Sequence, residues 1–289
     1  MTTQYDRAAE DVGNIVTLEH VNTLIPDQSQ AHLFYVTGMG FTRDPYIDFG
    51  MRNMWINLGR QQFHLPIGAP QVLRGRTGIV VPSLTALEER LNNVAPLLEG
   101  TAISWVQTER DGHKGLRVTT PWGNVLDVSE ANDATPMRLG MPYVEFDVPP
   151  DTADGIARFY QQAIGAPAHL RRDDEGVVAI VTAGIEQTIR YRETDTELPA
   201  YDGHHIAIYV ADFSAPHAWL NERGLVAEES NRMQYRFNML VDPETGKELF
   251  EVEHEVRSLS HPMYGRALVN RNPQQTPRTY ARGCDAFQG

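Results

Sequence analysis

The chain writes one pattern four times. His20 heads "HVNTLIP", Arg76 heads "RTGIVVP", Tyr143 heads "YVEFDVP" and His205 heads "HIAIYVA". Each run is apolar, rich in β-branched or aromatic residues and of strand length. A stretch of helical character follows each: "SQAHLFYVTGMGF", "LTALEERLNNVAPLL", "ADGIARFYQQAIGA" and "APHAWLNERGLV". The first and third share a Phe-Tyr pair, Phe34-Tyr35 and Phe159-Tyr160, with Gly40 and Gly165 six residues after each Phe. Three more strand candidates then follow, separated by turns marked with Gly or Pro. The last of them in each unit are "QQFHLP", "NVLDVSE", "EQTIRYRE" and "ELFEVEHE". The unit is βαβββ. At about 60 residues it exceeds the repeat length of solenoids, so it predicts discrete modules rather than a stack. The polar, flexible stretch "EANDATPMRLGM" divides the chain near residue 138. The expected organisation is an N-terminal pair of modules at 14–131, a C-terminal pair at 141–256 and an extended tail at 257–289.

The bulk numbers narrow the function. A chain of 289 residues holds about two domains of usual size. Its net charge of -13 and pI near 5.2 repel phosphate backbones and anionic lipid, so neither nucleic acid nor membrane is an expected partner. The single cysteine, Cys284, forbids a disulfide within the chain. The start "MTTQYDRAAEDVGN" lacks an apolar core. No window reaches the ~18 apolar residues of a membrane span. A soluble, cytoplasmic protein is the expectation.

Four βαβββ modules in two pairs resemble the vicinal oxygen chelate superfamily, which holds glyoxalase I, bleomycin-resistance proteins, fosfomycin-resistance enzymes and extradiol ring-cleavage dioxygenases. The resemblance covers residues 14 to about 256. It implies an α+β fold in which four βαβββ modules pair into two cup-shaped domains of mixed sheet. It also implies that metal ligands, where present, project into a cup from the first and last strands of each module. Carried over residue by residue, these positions are His20, Arg76, His64 and Asp127 in the first half. In the second half they are Tyr143, His205, Ile189 and Glu251, with Arg190 and Glu253 as alternatives in register.

The resemblance thus implies a divalent metal, Fe(II) or Mn(II) with Zn as an alternative, held in the C-terminal cup by His205, Glu251 and Tyr143. A second candidate set is His20, His64 and Asp127, although Arg76 beside Asp127 looks like an ion pair. Tyr143, Glu145 and Tyr209 are the catalytic candidates: Tyr143 as third ligand or proton donor, Glu145 as acid or base among clustered carboxylates, Tyr209 as an inward phenol. The chain departs from the family pattern in three places, one being "MQYRFNMLVDPETG", where Tyr235 comes too early and no His stands for the His and Tyr that the dioxygenases carry before the ligand Glu. Tyr143 stands where the dioxygenases carry His, and Ile189 breaks the glyoxalase ligand set. The implied function is a metal-dependent enzyme, dioxygenase-, lyase- or isomerase-like, acting on a small phenolic or dicarbonyl molecule. The alternative is a metal-free small-molecule-binding protein of the bleomycin-resistance kind. A homodimer is compatible with either. Trp55 and Trp122 read as core. The tail, rich in Pro, Arg and Asn, either covers a cup, packs on a neighbouring subunit or is loose, with Arg257, Arg266 and Arg271 as candidate anion anchors.

Overall fold

Each repeat folds as one βαβββ module in the computed structural model, which describes residues 5–47, 49–110, 112–132 and 135–287, apart from the side chains of Ala9 and Arg110. Residues 133 and 134 of the expected linker and the last two of the tail lie outside the described residues. Module one comprises β1 (Ile15–Asn22), α1 (Gln28–Ala31), β2 (Thr42–Arg43), β3 (Asn53–Leu58) and β4 (Gln61–Pro66). Module two comprises β5 (Gly75–Val80), α2 (Leu84–Val94), β6 (Ser104–Arg110), β7 (His113–Thr119) and β8 (Val125–Ser129). Module three comprises β9 (Gly140–Val148), α3 (Ala153–Phe159), β10 (Ala168–Asp173), β11 (Gly176–Thr182) and β12 (Thr188–Glu193). Module four comprises β13 (His205–Val210), α4 (Ser214–Asn221), β14 (Val226–Asn231), β15 (Gln234–Val241) and β16 (Glu248–Ser258).

The helices start where the sequence offers caps. The Asp27 carboxylate accepts the N–H groups of Ser29 and Gln30, and the Ser83 hydroxyl accepts that of Ala86. Both α1 and α3 continue as π-helical turns, over His32–Gly38 and Tyr160–Ile164. These turns fall at the Phe-Tyr pairs noted in the sequence, and all four aromatic rings are buried. Gly165 ends the second turn at φ 78°, a left-handed conformation that glycine adopts without strain.

The sixteen strands form two eight-stranded mixed sheets. The first runs β14-β15-β16-β13-β1-β4-β3-β2 and the second β10-β11-β12-β9-β5-β8-β7-β6. Each cup therefore joins modules that are not the expected pair: module one with module four, and module two with module three. The cups do not coincide with the sequence halves 14–131 and 141–256. At the seams β1 runs antiparallel to β13, with His20 opposite Ala207, and β5 runs antiparallel to β9, with Arg76 opposite Glu145. All four first strands present the same kind of open edge, so the repeat pattern does not choose among partners. The seam joins the first module to the last, and the Ala211 N–H donates to the carbonyl of Asn14.

Alternation sorts the strand faces. On β16, Phe250, Val252, His254 and Val256 turn toward the helices, and His254 stacks on Phe237 there. Glu251, Glu253, Glu255 and Arg257 turn the other way, into the cup. The tail is laid along module one. Asn270 exchanges two hydrogen bonds with the backbone of Gly59, and the Asn57 amide donates to the carbonyl of Val269.

Candidate metal centre

The seam of the first sheet builds the site. β1 and β13 lie side by side, and the repeat-equivalent His20 and His205 bring their rings to 5.8 Å. The flanking last strands run parallel to their partners. On β4, His64 lies opposite Asn22, two residues beyond His20. On β16, Glu255 lies opposite Ala207, two residues beyond His205. His64 and Glu255 are thus equivalent under the repeat, and four side chains converge. Among them, His20, His205 and Glu255 offer ligand atoms all within 4.8 Å of one another. All three are buried, His20 to 1% exposure.

The pairing register slips between Leu18 and His20, a β-bulge. Such a bulge re-aims side chains, and here it turns neighbouring Glu19 and His20 into one cup. Glu19 Oε2 lies 2.8 Å from His20 Nδ1. A neutral ring donates its Nδ1–H to that carboxylate, leaving Nε2 with a bare lone pair. His20 Nε2 is buried and has no hydrogen-bond partner. Burial holds the His20 pKa well below its ordinary 6.5, helped by the charge of Arg257, the neighbouring His205 and the charge of Arg236. His205 follows the same logic. Its Nδ1 lies 3.3 Å from Glu253 and its Nε2 3.8 Å from Glu255 Oε2. Burial, then Arg236 and Arg257, push its pKa down to about 3. Burial depresses His64 too. The imidazoles are therefore unprotonated at neutral pH, the state a metal ligand requires.

Guanidinium groups surround the carboxylates. Arg236 holds Glu253 at 2.5 Å and Glu255 Oε2 at 2.5 Å, while Arg257 reaches Glu255 Oε1 at 2.5 Å and Glu19 Oε2 at 2.5 Å. The Tyr209 hydroxyl donates to Glu19 Oε1 at 3.1 Å and accepts from Arg257 at 3.2 Å. Aromatic rings continue the wall. His20 stacks on His64 at 3.7 Å, and His64 stacks on Trp55 at 3.9 Å. From the tail, Tyr264 packs 5.1 Å from Tyr209, and Arg266 pairs at 2.6 Å with Asp44, which accepts from Gln62 beside His64. The tail packs against this cup. Trp55 belongs to the site rather than to the core alone, whereas Trp122 packs against the core.

The structure redistributes the sequence candidates. His205 and Tyr209 share the first cup with His20 and His64, so two expected ligand sets merge into one. Glu251 shares the face of Glu255 but sits four residues nearer the start of β16, where its backbone carbonyl accepts from Arg74. Irregular pairing of β15 with β16 between Phe237 and Met239, and again between Leu240 and Val241, shifts the register and puts Glu255 in the ligand place. Tyr143, Glu145 and Asp127 lie in the second cup. Burial pushes the Tyr143 phenol up to about 12, and the Arg190 guanidinium lies 3.8 Å above its ring. The fully buried Glu145 carboxylate pairs with Arg76 at 2.5 Å and Arg192 at 2.9 Å. Arg76 also holds Asp127 at 3.3 Å, the ion pair its position suggested. Arg76 stands where the first cup has His20, and a fixed cation there disfavours a metal ion. Sequence reasoning missed Glu19, Glu255 and Arg236. Glu255 carried one visible signal, the alternating acids of "EVEHEV".

No family model and no curated protein matches the chain in sequence. Solved structures do match its fold. Glyoxalase I from Zea mays superposes with a TM-score of 0.62 at 15% identity, over 84% of this chain and 92% of that one. A protein proposed to be a dioxygenase from Bacillus subtilis subsp. subtilis str. 168 superposes with a TM-score of 0.59 at 15% identity, over 88% of this chain and 91% of that one. The chain thus has the paired-module fold of these two solved structures.

Proposed function

We propose that the chain is a divalent-metal enzyme of the vicinal oxygen chelate type, with its site in the cup of modules one and four. Its ligands are His20, His205 and Glu255, with His64 at the fourth position. The observation that carries this reading is the orphaned Nε2 of His20, buried beside two further ligand groups while Nδ1 is tied to Glu19. Leaving a buried ring nitrogen unpartnered costs free energy that a bound ion would recover. Two imidazoles and one carboxylate on one face suit Fe(II) or Mn(II), and leave positions open for a substrate. When bound, such an ion polarises the oxygens of a chelating molecule.

The chain's own residues supply the rest. Glu19 fixes the tautomer of His20 and orients its ring, a role that carboxylates behind metal-bound imidazoles commonly serve. Arg236 and Arg257 hold Glu255 in place. The Tyr209 phenol stays protonated, because burial and then the Glu19 charge raise its pKa, and its one O–H holds Glu19 in place. Trp55 and Tyr264 wall the cup with aromatic surface, which suits a small phenolic or dicarbonyl substrate. A dioxygenase, lyase or isomerase reaction fits these groups. No helix among the described residues is long and apolar enough to cross a membrane. That, with the acidic charge, supports a cytoplasmic enzyme acting on a small molecule.

A second reading, a metal-free small-molecule-binding protein, is favoured by the guanidinium groups already on both oxygens of Glu255. Elemental analysis separates the two. After expression with supplemented iron, manganese and zinc, the enzyme reading expects about one equivalent of metal per chain and a chelator-sensitive melting temperature. A metal-free protein with unchanged melting would instead establish the binding reading.

A further inference from the structure

A cleft of about 390 Å³ lies between the π-helical turn that follows α1, α2 and the tail, on residues distinct from those of the cup. Its wall carries Arg90 and Arg271, with His32, Asn93, Asn272 and Gln275 around them. No carboxylate is among the described residues that line it. In a chain with 38 acidic and 25 basic residues this contrasts with Arg76, Arg192, Arg236 and Arg257 of the cups, which all meet carboxylates. Among the described residues, Arg90 and Arg271 donate their side-chain N–H groups only to neutral carbonyls. Arg90 reaches Gly38 at 3.1 Å and Met39 at 3.2 Å, and Arg271 reaches Val36 at 3.3 Å. These carbonyls close the end of the first helix, whose dipole supplies roughly half a negative charge against two positive ones. Burial lowers the Arg90 pKa, with the Glu89 charge opposing. His32 is depressed by burial and then by Arg271 and Arg43. At Gly40, with φ 82°, any Cβ would meet the Arg90 guanidinium at 3.0 Å, so the backbone leaves that group its room.

We propose that this cleft is a second binding site, for a small molecule bearing a phosphate or carboxylate group. The two guanidinium groups bind the anion as charge-assisted donors, and the amides of Asn93, Asn272 and Gln275 add neutral ones. The volume falls within the ~300–1,000 Å³ range of small-molecule sites, so the anion is one end of a larger ligand.

The test is calorimetric titration of the full chain with inorganic phosphate, and separately with malonate, at constant ionic strength. Chelator is present throughout, so that a metal in the cup contributes nothing. The expected result is saturable binding, tighter for whichever anion class the site serves. The exposed Arg271→Gln weakens it at least about tenfold, as loss of a charge-assisted pair does. Arg223→Gln, on the surface beside Trp219, leaves it unchanged. Arg90→Gln gives the same loss, provided circular dichroism shows it folded, and Arg271→Gln stands alone if it is not. Absence of saturable binding by either anion, or equal affinity in wild type and Arg271→Gln, overturns the proposal.

Discussion

The Nδ1 of His20 lies 2.8 Å from the carboxylate of Glu19, its own neighbour in the chain. On a regular strand the two side chains would point to opposite faces. The bulge in β1 turns both into the cup. A backbone irregularity thus brings the proposed ligand and the carboxylate beside it into the cup together.

Glu19→Gln keeps the shape and removes the charge behind His20. Metal affinity is expected to fall by about 10–100-fold, the usual cost of losing such a partner. Chelator competition measures it. An unchanged affinity would mean that Glu19 serves Arg257 and Tyr209 alone.

Glu255 and Glu251 share one face of β16, but only Glu255 reaches the imidazoles. Glu255→Ala is expected to abolish metal binding, and Glu251→Ala to leave the metal stoichiometry as in wild type. Elemental analysis of the two purified variants decides between them.

How far this site was legible in the sequence follows from the same residues. The modules were readable, because each must bury one face of the same strands and helix, and that demand recurs at fixed spacing. His20, His64 and His205 were visible for the same reason. Which modules share a sheet was not, since strand edges expose identical N–H and C=O groups whatever their sequence. Glu255 was hidden behind Glu251 and Glu253, because only register picks among three acids on one face. Glu19 was hidden by the bulge, which no local composition announces.

The second cup is predicted to be structural. Arg76→Ala leaves the buried Glu145 with Arg192 alone and strands Asp127 beside Arg117. Removing one member of a buried ion network costs about 3 kcal/mol. Urea unfolding should show that loss, with the metal content of the folded protein unchanged.

Acid should weaken this second network in a defined direction. Hydrogen bonds from Arg192 hold the Asp173 carboxyl well below its ordinary 3.8, outweighing the opposing effect of burial. The unfolded chain then takes up a proton at a pH where the folded one does not. The stabilisation is complete above roughly pH 4 and is lost as the pH falls through the lowered native value. Asp173→Asn should be less stable than wild type at pH 7, and the gap should narrow below pH 4. Urea midpoints at several pH values read this directly. A gap constant with pH would place the effect of Asp173 in packing rather than charge.

The most direct measurement is an anomalous difference map from crystals of metal-loaded protein, collected at the absorption edge of the bound metal. The account predicts one peak in the cup of modules one and four, within about 2.0–2.3 Å of His20 Nε2, a His205 ring nitrogen and a Glu255 oxygen. A peak beside Glu251 or Tyr143, or no peak in crystals grown with excess metal, would contradict it.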